Sequence, residues 1–163
     1  MLGDIQIYDE GAFGYPGDVE YAVAASATLI NAGEPVLKAL GNTTGEVVSP
    51  MASNEPVVGT NYLAGIAATT STNTASAAGT VKVTKLVPGL TYLIAPKVAA
   101  TWDTQAEYDA LVGARVRMDL TAGTYTILAA DNSTYGCVVE PLDVSKYPGK
   151  VRFSFRNGVS YNA

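Results

Sequence analysis

Apolar residues in this chain come in short runs with a period of two, and that pattern constrains the fold more than any other feature. Val19, Tyr21 and Val23 alternate with Glu20 and Ala22. Val116, Met118 and Leu120 alternate with Arg115, Arg117 and Asp119, and Val151, Phe153 and Phe155 with Arg152, Ser154 and Arg156. Successive side chains of a strand point to opposite faces, so each run buries one face and presents the other. Further short runs span 35–40, 46–49, 61–67, 80–85, 91–94, 124–129 and 137–142. Turn residues separate them: Asn31-Ala32-Gly33, Gly41-Asn42, Pro88-Gly89 and Thr121-Ala122-Gly123. Gly and Asn tolerate positive φ and Pro fixes φ, so each cluster reverses the chain for a stated reason. Asn157-Gly158 is a strong two-residue hairpin signal and is expected to pair Val159 to Tyr161 back on the preceding strand. Many closely spaced short strands predict a mainly β fold, a small β-barrel or sandwich.

Three segments follow from this pattern. Residues 1–24 are expected to form an N-terminal arm and the first strand, 25–97 a β-barrel domain, and 98–163 a C-terminal α+β subdomain. In the arm, Gly3, Gly11, Gly14, Pro16 and Gly17 interrupt regular structure, yet Ile5, Ile7, Tyr8, Phe13 and Tyr15 are large and apolar. A solvated tail would be polar. The arm therefore either folds back on its own domain or lies on a neighbouring subunit; in the second case these five residues form the interface. Ala67 to Gly79 (AATTSTNTASAAG) has no large apolar group and is expected to be a surface loop. A single helix is predicted over Gln105 to Val112. Thr104 and Glu107 supply a capping box at its start, and Gly113 is placed to end it in a left-handed conformation.

Charge narrows the partners. Charged residues make up 15% of the chain, below the quarter or so of an ordinary globular protein, and such a surface is easily desolvated against other protein. The net charge of −5 disfavours nucleic acid, because phosphate binding needs a basic face. Residues 1–81 hold eight acids and one base, and residues 82–163 seven acids and nine bases. These halves complement each other either across a subunit interface or within one chain. No apolar stretch approaches the ~20 residues that span a bilayer. Met1 to Glu10 lacks the basic and apolar regions of a signal peptide. Folding in a cytoplasm without a membrane partner is the expectation.

Little in the sequence carries bond-making chemistry. The chain has no histidine and one cysteine, which removes Ser–His and Cys–His nucleophile pairs, a structural zinc site and an internal disulfide. Cys137, inside Cys137-Val138-Val139, is expected to pack as a buried hydrophobe. Gly11-Ala12-Phe13-Gly14 lacks the Lys-Ser/Thr and following helix of a phosphate loop. The paired carboxylates Asp9-Glu10, Asp18 with Glu20, and Asp103 with Glu107 and Asp109 read as solvated or capping acids. No catalytic residue, metal ligand or cofactor is expected. Among the ten tyrosines, Tyr92, Tyr108 and Tyr125 are expected in or near the core, and Tyr8, Tyr15 and Tyr161 at contacts between subunits. Arg152 and Arg156 belong on an outer face of their strand.

Ala32 to Leu40 (AGEPVLKAL), Pro56 to Ala68 (PVVGTNYLAGIAA) and Gly79 to Val83 (GTVKV) together resemble the small β-barrel capsid decoration (cement) proteins of tailed bacteriophages. Leu63-Ala64-Gly65-Ile66-Ala67 stands where that family has a V-G-I-A-like strand, and Gly79-Thr80-Val81-Lys82-Val83 where it has a G-x-V-x-V strand. The resemblance spans about Ala25 to Pro96; the segment after Ala99 departs from the one-barrel pattern. It implies a structural virion protein, made in the host cytoplasm, that binds the outer capsid surface, bridges major capsid protein subunits, and associates as a homo-oligomer, a trimer above all. It implies no catalytic residues. Two further readings of the residues are another virion component (head fibre base, tail or baseplate) and a carbohydrate-binding β-sandwich in which Trp102 and exposed tyrosines stack on sugars.

Overall fold

A computed structural model describes residues 5–9, 17–38, 48–53, 55–58, 62–86, 89–129 and 134–156. In chain order the strands are β1 (Gln6–Asp9), β2 (Asp18–Val23), β3 (Pro35–Lys38), β4 (Val48–Pro50), β5 (Tyr62–Ala67), β6 (Gly79–Lys85) and β7 (Thr91–Ile94). A 3-10 turn (Ala99–Thr101) and helix α1 (Gln105–Asp109) follow, then β8 (Arg115–Thr121), β9 (Thr124–Leu128), β10 (Cys137–Val139) and β11 (Val151–Phe155). They form two antiparallel sheets, one ordered β2-β6-β5-β3-β4 and the other β1-β7-β11-β10-β8-β9. The mainly β expectation holds, in the form of a sandwich-like pair of sheets.

The five-stranded sheet buries the alternating face that the sequence marks. Val19 faces Val83 and Tyr21 faces Val81, while Glu20 and Lys82 stand opposite each other on the outer side. Val23, Ile30, Val36 and Val83 in its core are fully shielded. Strand β5 is buried on both faces, and a β-bulge explains how. The β3–β5 register shifts between Val36 and Leu37, and an inserted residue interrupts the alternation. Leu63 and Ile66 then join the second core while Ala64 and Ala67 stay in the first. Gly65 lies in this bulge, and a Cβ there would sit 2.0 Å from the Thr84 carbonyl oxygen. Only glycine lets β5 approach β6 this closely.

The six-stranded sheet wraps a larger, aromatic core. Tyr92 stacks on Phe153 with centroids 5.5 Å apart, and Phe155 meets both edge-on. Trp102 meets Tyr108 edge-on at 5.7 Å. Burying each such side chain stabilises the fold by roughly 1.5–3 kcal/mol before ordering costs. Beyond β7, Lys97 N–H donates to Ile127 and Ile127 N–H to Ala95, and Pro96 bridges Ile127 in parallel. This ties β9 back towards β7 through one bridge, so the sheet curls without closing into a continuous barrel.

The sheets do not divide the chain at residues 97 and 98. β7 pairs with β11 and β1, so the chain leaves the first sheet after Lys85 and is in the second from Thr91. The chain before β5 also reaches across. Met118 N–H donates to Glu55, Gly136 N–H to Pro56, and Val58 N–H to Thr134. Ser53 Oγ donates to the Leu120 carbonyl at 2.9 Å and accepts from its N–H at 2.8 Å.

Two local expectations change. Helix α1 is shorter than Gln105 to Val112. Its capping box forms as expected, but after Asp109 the bonds from Leu111 to Tyr108 and Val112 to Asp109 are three-residue bonds, which tighten the last turn. Gly113 then takes φ of 83°, and its N–H leaves the helix for Val139. The second change is at the Ala/Thr/Ser-rich loop, which lies at the surface but is anchored. Ser71 and Asn73 are buried. Ser71 Oγ accepts from Ile30 N–H at 3.0 Å and donates to Asn73 Oδ1 at 2.7 Å. Asn73 Nδ2 donates to the Ala27 carbonyl at 2.9 Å. Hydrogen bonds replace the missing apolar anchor.

Candidate interaction surface

The residues expected to form an interfacial arm separate into three groups. Ile5 is 6% exposed and packs in the aromatic core of its own chain. Ile7 and Tyr8 lie on β1, whose backbone pairs with β7. A strand, with a register shift between Ile7 and Asp9, thus forms where the glycines were expected to prevent one, because the stretch from Gln6 to Asp9 contains none. Phe13 and Tyr15 lie outside the described residues, as do Gly11 to Gly14, Tyr161 and the Asn157-Gly158 hairpin.

The tyrosines expected in the core are there. Tyr92, Tyr108 and Tyr125 are 1%, 0% and 1% exposed. Tyr108 Oη donates to the Glu140 carbonyl at 2.9 Å and accepts from Arg152 N–H at 2.9 Å; burial pushes its phenol up to about 12. Tyr125 Oη donates to the Met51 carbonyl. Tyr92 Oη has no partner among the described residues, and burial drives its acidity far below that of an ordinary phenol. Trp102 is 1% exposed, so it is a core residue and does not offer the sugar-stacking face that one reading gave it alongside exposed tyrosines. Cys137 is wholly buried and its thiol is pushed well above the ordinary value by desolvation, which disfavours the thiolate.

Of the acids paired in the sequence, Asp18, Glu20, Asp103, Glu107 and Asp109 are exposed. Asp18 Oδ1 accepts from the Thr84 hydroxyl at 2.7 Å. Glu107 caps α1 through Thr104, and the bonds from Thr104 and Asp103 hold it below the ordinary carboxylate value. Asp103 is raised, chiefly by its hydrogen bond to Glu107. Gln105 ties α1 to the next loop: its Nε2 donates to the Leu142 carbonyl and its Oε1 accepts from Val144 N–H, both at 3.0 Å. Asp103, Gln105, Asp143, Ser145 and Pro148 border a shallow open groove of about 530 Å³. Among the described residues no three His, Cys, Asp or Glu side chains converge to hold a metal ion, and no helix is long and apolar enough to cross a membrane.

A basic sheet face is the feature that sequence reading only half located. Arg115 and Ser154 both stand opposite Val138, while Val116 and Phe155 both stand opposite Cys137. Cys137, Val116 and Phe155 point to the core, so Val138, Arg115 and Ser154 point outwards. Two-residue periodicity adds Arg117 on β8, and Arg152 and Arg156 on either side of Ser154, to the same face. Four arginines thereby gather from strands far apart in sequence. Arg117 lies over the Tyr135 ring, with its Cζ 5.5 Å from the centroid, and Arg156 Nη1 reaches the Tyr135 carbonyl at 3.5 Å. The acids on this face are engaged: Glu140 accepts from Ser154, and Asp119 from Lys97 and Thr121, both at 2.7 Å. Lys97 chiefly, then Thr121, hold the Asp119 carboxyl below its ordinary value. The pattern signal was the spacing of Arg115-Arg117 and Arg152-Arg156; that β10 brings the two pairs onto one surface was not legible.

No protein-family model, no curated protein and no solved structure matches this chain.

Proposed function

We propose that the chain is a structural virion protein that binds the outer surface of an assembled phage capsid and stabilises it by bridging neighbouring major capsid subunits. The observation that carries the reading is where the resembling motifs fall. Leu63 to Ala67 and Gly79 to Val83 lie on adjacent strands β5 and β6, paired with Ile66 opposite Thr84 and Ala67 opposite Val83. They lie inside the five-stranded sheet, which has its own small apolar core. The low charge content supports a protein that spends its surface on contacts with other protein. Work of this kind uses buried area and many weak contacts, and several contacts per copy raise the effective affinity because later ones are intramolecular. The chain then acts without catalysis or a cofactor.

The carbohydrate-binding reading loses one of its stacking groups with Trp102 buried. The test is to add purified protein to heads lacking it and follow both bound mass and heat resistance. Saturable binding with raised heat resistance is expected. Heads that take up none of it, and lose their DNA at the same temperature with or without it, would overturn the proposal.

A further inference from the structure

We draw no further inference here: the strongest candidate, the charge-free surface patch where residues 24–33 meet the 68–80 loop around the exposed Leu29, carries nothing, because its small residues make no site by themselves and nothing in the structure shows what covers it.

Discussion

Replacing Ile5 with alanine decides whether the N-terminal segment belongs to the fold or to a neighbour. Ile5 is 6% exposed and its side chain lies in the aromatic core of its own chain. The strand that follows is held by Gln6 opposite Leu93 and Ile7 opposite Tyr92. Removing three carbons from a buried isoleucine costs the transfer free energy of those carbons and leaves a cavity, about 2–4 kcal/mol in all. For a chain of this size each kcal/mol lowers the melting temperature by about 2–4 °C, so Ile5→Ala should melt roughly 4–16 °C lower. Urea unfolding of the isolated protein should show a lower midpoint with unchanged slope, because the surface exposed on unfolding is nearly the same. A residue docked on another subunit gives the opposite result. The isolated variant would then unfold like the parent, and a change below about 0.5 kcal/mol, the scatter of ordinary surface substitutions, would refute the placement of Ile5.

Four further substitutions probe other parts of the argument. Gly65→Ala forces a Cβ to 2.0 Å from the Thr84 carbonyl oxygen and should cost at least about 2 kcal/mol by overpacking the β5–β6 pair; a neutral result in urea unfolding would contradict the close approach. Ser71→Ala leaves the buried Ile30 N–H without its acceptor and should cost about 1–3 kcal/mol, with faster amide exchange at Ile30; an unchanged exchange rate would count against the polar anchor. Tyr92→Phe removes a buried hydroxyl that has no partner among the described residues, so stability should stay within about 1 kcal/mol or rise, and a loss above about 2 kcal/mol would mean the hydroxyl is bonded. Asp119 is held below its ordinary value of 3.8 by Lys97 and Thr121. A depressed carboxyl stabilises the fold above the unfolded value and loses that contribution as pH falls through the folded one. Asp119→Asn should therefore flatten the acid side of the stability curve, and an unchanged acid limb would contradict the pairing.

Much of the fold was legible because period-two burial is a local property. Val19, Tyr21 and Val23, and Val151, Phe153 and Phe155, appear on the strands their alternation marks. The capping box of Thr104 and Glu107 was legible for the same reason: both partners lie within one turn. What the sequence hid depends on distant partners. Trp102 is in the core because Tyr108 and the second sheet close over it, and nothing beside it in sequence signals that. Ser71 and Asn73 look like loop filler until Ala27 and Ile30 arrive from the other side. Ile5 appears detachable until β7 pairs with the strand that follows it. The candidate surface follows the same rule: Arg115 and Arg117 become neighbours of Arg152 and Arg156 only because β10 lies between their strands.

The shell-binding account is tested most directly by a cryo-EM reconstruction of the particle encoded alongside this chain, at a resolution that traces strands. The account predicts density for both sheets on the outer capsid surface, with each copy touching at least two major capsid subunits. Density for the chain inside the shell, in the tail alone, or in contact with a single capsid subunit would contradict it.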